Sequence, residues 1–146
     1  MVYKNYIVEI RSEKNSLVLL LMCLKYNSLL QYKMCVDIVC FDNVSKQKRF
    51  TLIYYLVSVL FNRQARIIVQ VDEFDYVDSV VSLFSSTSWS EREIWDLFGV
   101  MFSGNTDLRR LLTDYGFKGF PFRRDFPLSG FYELHYNEFS YSPKMI

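Results

Sequence analysis

The sequence predicts an α/β (α+β) domain: a mostly antiparallel sheet with helices packed on one face, followed by an extended C-terminal arm. Three observations predict it. All five glycines (Gly99, Gly104, Gly116, Gly119, Gly130) and all three prolines (Pro121, Pro127, Pro143) lie after residue 86, so the preceding stretch is free of the two strongest structure breakers. Within that stretch, RQARIIVQV at residues 63–71 alternates apolar and polar side chains with the period of a half-buried strand. The patterns along residues 3–84 also run strand, helix, strand, strand, strand, helix, and consecutive strands flanked by helices favour an antiparallel sheet covered on one side. The division that follows is a sheet-and-helix scaffold over residues 1–86, a short helix over residues 87–100 that completes the domain, and an extended arm over residues 101–146. A chain of 146 residues supplies one core.

Residues 3–10 read as the first strand. Ser12 is placed to cap a helix reaching residue 32 or so, in which Leu17, Leu20, Leu21, Leu24 and Ser28 share one face. The apolar run at residues 17–24 also fits a buried strand, and length favours the helix. Residues 34–41 are rich enough in β-branched side chains for a strand and end at Asp42-Asn43, a turn pair. Residues 49–60 form a second long strand with aromatic and β-branched side chains on both faces. Phe61-Asn62-Arg63 is a hairpin turn into the next strand, which sets Ala65, Ile67, Val69 and Val71 on one face and Gln64, Arg66, Ile68 and Gln70 on the other. Asp72 or Asp75 starts a short helix grouping Val77, Val80, Val81 and Phe84 on one side. The following helix has two candidate caps, Ser88 with Glu91 or Ser90 with Glu93, and Gly99 stops it. Ile94, Trp95, Leu97 and Phe98 crowd this helix with apolar surface, so it needs neighbours that clamp it.

Composition narrows the function. Hydrophobic residues at 51% and charged residues at 23% exclude an intrinsically disordered chain. Aromatic residues make up 18%, more large rings than one small core readily hides, which points to extensive partner contact. Seventeen basic against sixteen acidic residues leave a net charge of +1, so no global field attracts nucleic acid or an anionic membrane. Cys23, Cys35 and Cys40 each sit in an apolar stretch and form no CxxC pair. They read as small buried hydrophobes in a reducing compartment, and a single histidine leaves little room for a zinc site. The run at residues 17–24 is too short to span a bilayer and is interrupted by Lys25. The opening MVYKNYIVEIRSEK resembles neither a signal nor a transit peptide, so synthesis inside an organelle is the expectation if the protein works in one.

The candidate functional residues are charged. Glu91 and Glu93 invite an acid–base reading, but their i,i+2 spacing sets them on different sides of a helix, and capping plus arginine pairing is the better expectation. Arg92 and Asp96 are one turn apart. Arg109-Arg110 follows Asp107-Leu108, and Arg123-Arg124 precedes Asp125. Neither basic pair sits in a Gly-rich loop or a long basic patch, so arginine–carboxylate pairing, inside the chain or across an interface, fits better than phosphate binding. Two readings from other classes are an RNA-binding module, for which RQARIIVQV lacks the aromatic recognition pattern, and a free-standing acid–base enzyme using Glu91, Glu93 or His135. The latter requires a concave pocket around a carboxylate of raised pKa. The sequence contains no four-cysteine cluster set and no dinucleotide fingerprint.

The stretch WSEREIWDLFGVMFSGNTDLRRLLTDYGFKGFPFRRDFPLSG at residues 89–130 closely resembles the signature of the thirty-kilodalton subunit family of respiratory NADH:ubiquinone oxidoreductase, or complex I. The resemblance continues more weakly upstream, over residues 30 to 140. Glu91, Arg92 and Glu93 match the family's ERE; Asp96, Phe98 and Gly99 its acidic-x-Phe-Gly close; and Asp107, Leu108, Arg109 and Arg110 its DLRR. Thr113 to Phe117 matches its tyrosine-glycine turn, and Arg123, Arg124, Asp125 and Pro127 belong to its basic pair followed by Asp-Phe-Pro-Leu. Asn105 and Thr106 stand where the family usually has His-Pro, and His135 where it usually has arginine, which argues against a proton-transfer role for the histidine. Residues 1–30 and the tail after Glu138 read as shortened.

The resemblance implies a non-catalytic core subunit of the peripheral arm of complex I, in the quinone module, packed against the forty-nine-kilodalton core subunit and other peripheral-arm subunits. It implies no cofactor in this chain, with FMN and iron–sulfur clusters in partner subunits, no nucleic-acid partner, and membrane contact only through the assembled complex. The implied location is the matrix side of the mitochondrial inner membrane, the alternative being the cytoplasmic side of a bacterial plasma membrane. The arginines and acids named above, with Gly99 and Pro127, are then interface and structural residues.

Overall fold

The computed structural model describes residues 7–45, 47–132, 134–137 and 142–145, the last two segments by their backbone alone. Four strands, β1 (Ile7–Ser12), β2 (Met34–Asp42), β3 (Phe50–Ser58) and β4 (Arg63–Val71), form a sheet in the order β1-β4-β3-β2. The β2–β3 and β3–β4 pairings are antiparallel, whereas β1 runs parallel to β4. The sheet is therefore mostly antiparallel, with one parallel pairing that the sequence pattern does not reveal. Its cause is the connection: helix α1 (Leu17–Tyr26) carries the chain from the β1 edge to the opposite edge, where β2 begins, and only a crossover of this kind permits parallel partners.

Alternation decides the faces. Ala65, Ile67, Val69 and Val71 all point into the core as expected, joined from β3 by Phe50, Leu52, Tyr54 and Leu56. Leu17, Leu21 and Leu24 of α1 and Ile94 of a second helix, α2 (Thr87–Phe98), complete the same apolar cluster, so both helices cover one face of the sheet. Each fully buried Leu, Ile or Val in it contributes about 1.5–3 kcal/mol of transfer free energy.

Several boundaries differ from those the sequence predicts. Residues 3–6 of the expected first strand lie outside the described residues, and β1 continues to Ser12, which therefore ends a strand instead of capping a helix. A single 3-10 turn (Lys14–Ser16) precedes α1. The helix stops at Tyr26, well short of residue 32, because Asn27 turns the chain: its side chain accepts the Leu29 N–H at 2.9 Å, and Gln31 adopts a left-handed φ of 46°. Ser28 is thus exposed and outside the helix. Cys35 and Cys40 are buried as expected, and burial pushes both thiols up to about 12, but Cys23 is exposed on the outer side of α1.

The helix expected after Asp72 does not form. Tyr76–Asp78 instead makes a short strand, β5, paired parallel to β6 (Met101–Ser103), followed by one helical turn closed by the Phe84 N–H on the Val80 carbonyl. Val77, Val80 and Phe84 are buried all the same, since a β-branched stretch too short for a stable helix reaches the core as an extended segment. Neither candidate capping box forms at α2: Ser88 and Ser90 lie inside the helix, and Ser90 Oγ donates to Asp37 on β2 at 3.0 Å. Gly99 does stop α2, at φ 79°, its N–H meeting the carbonyls of Ile94 and Trp95. At the far end, β7 (Leu134–Asn137) and β8 (Ser142–Met145) form an antiparallel hairpin. No helix among the described residues is long and apolar enough to cross a membrane.

Candidate functional site

Between β6 and β7 the chain has no helix or strand among the described residues, yet residues 104–132 are pinned back along α2 and the neighbouring end of the sheet. Four carboxylates of the folded core do the pinning: Glu73 and three that lie among the molecule's buried charged residues, Glu91, Asp96 and Asp42.

Glu91 is fully buried. Its oxygens accept from Ser79 Oγ at 2.7 Å, the Val80 N–H at 2.8 Å and Asn105 Nδ2 at 2.9 Å. Burial raises its pKa against the pull of these three neutral donors. Asn105 also accepts the Asp107 N–H at 3.0 Å, so it links Glu91 to the start of the DLRR segment. Arg92, on the next position of α2, reaches the same segment through the Arg109 carbonyl at 3.4 Å and Asp107 at 3.7 Å.

Asp96, also fully buried, collects five donors: Arg110 Nη1 at 2.9 Å, the Thr113 hydroxyl, and the backbone N–H groups of Leu111, Leu112 and Thr113. Burial alone would raise its pKa, but the Thr113 hydroxyl and N–H and the two preceding N–H groups outweigh it, and the carboxyl falls to about 2. Arg110 is held in turn by the Gly119 carbonyl and lies over the rings of Phe117 and Phe120.

The third anchor is a network at the end of the sheet. Arg49 forms two parallel bonds of 2.9 Å with Asp42 and also reaches Glu73 at 3.2 Å and Asp125 at 2.8 Å. Arg123 pairs with Glu73, donates to the Phe98 carbonyl at 2.6 Å and lies 4.6 Å from the Phe120 ring centre. The Arg124 backbone N–H donates to Asp42 at 2.9 Å. Arg49 holds the Asp42 and Asp125 carboxyls below the ordinary carboxylate range. Gly99 is required here twice over: its φ is left-handed, and a Cβ would lie 2.7 Å from the Phe120 ring and 2.8 Å from Arg123 Nη2.

The predicted residues thus divide. Glu91, Arg92, Asp96, Gly99, Asp107, Arg110, Arg123 and Asp125 are joined into these anchors. Pro127 opens a turn closed by the Gly130 N–H on its carbonyl. Arg109, Arg124 and Glu93 face outward: Arg109 is 72% exposed and among the described residues pairs only with the nearby Asp107, Arg124 engages through its backbone, and Glu93 is exposed. Glu91 and Glu93 are not brought together, and every polar contact of Glu91 is internal, so the paired-carboxylate reading has no geometry to support it. The side chain of His135 lies outside the described residues. Sequence reasoning missed Asp42, Arg49, Glu73 and Ser79 as members. Asp42 falls at a predicted turn and Arg49 at a predicted strand end, and nothing local signals a partner so distant along the chain.

The exposed side of the same segment is aromatic. Residues 114–118 and 126–132 frame a cleft of about 560 Å³ lined by Tyr115, Phe117, Phe126, Leu128, Phe131 and Tyr132 among others, with Tyr115 and Leu128 fully exposed.

The profile of the family described as "Respiratory-chain NADH dehydrogenase, 30 Kd subunit" matches residues 10–132. The chain is 51% identical over 108 residues to NADH-ubiquinone oxidoreductase subunit 9 of Prototheca wickerhamii, covering 74% of this chain and 56% of the relative. It is 42% identical over 137 residues to the protein of the same name from Reclinomonas americana, covering 94% and 67%. It is 44% identical over 126 residues to an NADH-quinone oxidoreductase subunit of Methylobacterium sp. (strain 4-46), covering 86% and 59%. The chain therefore spans between about half and two thirds of the length of these curated relatives. Among solved structures, one described as "Nqo5 of the trypsin-resistant fragment (1-134) in P63 form" superposes with a TM-score of 0.62 at 25% identity, covering 70% of this chain and 83% of that one. A chain of the membrane-bound sulfane sulfur reductase, an archaeal respiratory membrane complex, shares the fold at a TM-score of 0.73 and 22% identity, covering 88% and 76%. Taken with the anchored ERE, DLRR and RRD segments, these matches establish that the chain belongs to the family of the 30 Kd subunit of respiratory-chain NADH dehydrogenase.

Proposed function

We propose that this chain is a non-catalytic structural subunit in the quinone module of the peripheral arm of NADH:ubiquinone oxidoreductase. In this reading it holds the cluster-bearing and quinone-binding subunits at their working distance, with the forty-nine-kilodalton core subunit as its main neighbour. Electron transfer and proton translocation belong to other chains: FMN and iron–sulfur clusters are expected in partner subunits and no cofactor in this one.

The observation that carries the reading is the two-sidedness of residues 104–132. Their inward polar groups are bonded to Glu91, Asp96, Asp42 and Glu73, while the outward side presents Arg109, Arg124 and the Tyr115–Leu128 aromatic cleft. Aromatic side chains and arginine are both enriched at protein interfaces, and a segment fixed to its scaffold loses little conformational freedom on binding. Relatives named as subunits in both organelle-bearing species and a bacterium fit a location on the matrix side of the mitochondrial inner membrane or, alternatively, the cytoplasmic side of a bacterial plasma membrane.

The test is native electrophoresis of mildly solubilised membranes, with mass-spectrometric identification of the band that contains this chain. Co-migration with flavin- and cluster-bearing NADH dehydrogenase subunits is the expected result. A small soluble species without such partners would sink the proposal.

A further inference from the structure

Helix α1 has two apolar sides, and only one of them is covered among the described residues. Leu17, Leu21 and Leu24 join the apolar cluster over the sheet, whereas Leu19, Met22, Cys23 and Tyr26 on the opposite side are exposed, Leu19 by 65% and Tyr26 by 68%. These four stand at positions i, i+3, i+4 and i+7 and form one stripe along the helix. The loop beyond extends it: the Tyr32 N–H donates to the Leu24 carbonyl at 3.1 Å, which folds the loop against the last turn and sets Leu29, 76% exposed, at the end of the stripe. On the same face of the sheet, α2 turns the charged Glu93 outward beside Trp89. The α1 stripe has no charged member, and a helix that is apolar all round belongs in an interior.

Charge says what kind of cover fits. No acidic residue occurs between Glu13 and Asp37, a stretch that contains Lys14, Lys25 and Lys33. Lys14 is paired with Asp75. Lys25 donates to the Leu83 carbonyl and lies over the rings of Tyr26 and Phe84. Neither Lys25 nor Lys33 has a carboxylate partner among the described residues. Lys33 is exposed and directly follows Tyr32, so its charge stands at the C-terminal margin of the stripe.

We propose that the α1 stripe with Leu29 seats an amphipathic helix of a neighbouring subunit, one that carries a carboxylate at the margin facing Lys33. Leu19–Cys23 and Met22–Tyr26 are two parallel ridges of residues four apart, and the groove between them accepts a ridge of a second helix. The ten residues of α1 span about 15 Å, so about three turns of the partner cover it. A second copy of this chain fits worse, because it would bring the same lysines and no acidic residue of its own α1 to meet them. A membrane surface also fits worse, because helices that lie on one line their polar face with cations, whereas the far side of α1 is packed on the sheet.

Cys23 supplies the readout, because Cys35 and Cys40 are buried and a maleimide reaches Cys23 alone in the folded chain. Membranes are labelled with a maleimide, solubilised mildly and separated by native electrophoresis, with the purified chain labelled alongside. In the NADH-oxidising band Cys23 should react at least about tenfold more slowly than in the purified chain. A water-soluble carbodiimide, which joins amines to carboxylates already in contact, should link Lys33 to a peptide of another subunit whose apolar residues have helical spacing. Leu19→Glu places a charge at an exposed position and should leave the melting temperature unchanged while abolishing both the link and the protection of Cys23. Tyr26→Glu, at the exposed end of the helix, serves if Leu19→Glu folds poorly. Full Cys23 reactivity in the band, a Lys33 link to a second copy of this chain or to no other subunit, or protection that persists in both variants overturns the proposal. It rests on the reading of this chain as a subunit of the complex, and the two fail separately: absence of the unaltered chain from the band overturns that reading and the proposal with it, whereas full reactivity inside the band overturns the proposal alone.

Discussion

Residues 7–103 hide Phe50, Leu52, Ile67 and Val69 completely, whereas residues 104–132 place no side chain in the buried apolar core and set only Leu108 against it. The two regions adhere by different means. Sheet and helices are held by burial of alternating or helically spaced apolar side chains, which is non-directional and tolerant of small changes in shape. The later segment is held by directional bonds to Glu91, Asp96, Asp42 and Glu73, each of which fails if one partner is removed. It can therefore be loosened while the sheet stays folded.

The largest effect is expected from Asp96→Ala. It removes the anion facing the half-buried Arg110 and leaves the backbone N–H donors of residues 111–113 without their acceptor, a loss of about 1–3 kcal/mol for each donor that stays buried and unsatisfied. Native-state hydrogen exchange should show protection lost at residues 110–113 and kept in β3 and β4; equal loss in the strands would erase the contrast between the regions. Next comes Gly99→Val, at about 2–3 kcal/mol from left-handed strain and the clash with Phe120, read by urea denaturation.

Within α2 itself, the two buried carboxylates titrate in opposite senses. Asp96 has a folded pKa of about 2, below its ordinary value, so its contribution is present above the ordinary value and lost as pH falls toward 2. Glu91 has a raised folded pKa, so its contribution is complete below its ordinary value and is lost as pH rises through the raised one. Asp96→Asn should therefore cost about 2 kcal/mol at pH 7 and almost nothing at pH 2, while Glu91→Gln should become relatively more favourable as pH rises from 4 to 7. Denaturation midpoints from pH 2 to pH 7 check both signs. The smallest effect is on Arg109→Ala and Arg124→Ala, each expected within about 0.5 kcal/mol of the unaltered chain because neither side chain is buried.

Legibility in the sequence follows the same divide. RQARIIVQV declares its strand and its inward face because one period of two decides every position, and Gly99 declares the end of α2 because a left-handed stop has few residue choices. The helix expected after Asp72 fails because Val77, Val80 and Phe84 satisfy helical spacing and also fit a short strand followed by one turn. Arginine–carboxylate pairing is legible as a principle but not in its partners. Arg109-Arg110 and Arg123-Arg124 read as two like pairs, yet in an irregular segment consecutive side chains diverge, and only Arg110 and Arg123 turn inward. Arg49, which meets Asp42, Glu73 and Asp125, gives no local sign at all, since its partners are gathered by sheet topology.

Inward arginines thus maintain the fold, and outward ones are the residues expected to meet a partner. Native electrophoresis of membranes carrying the Arg109→Ala/Arg124→Ala double variant, alongside thermal melting of the purified chain, separates the two roles. Unaltered melting together with loss of this chain from the NADH-oxidising band is the predicted result. Normal incorporation into that band would contradict the division.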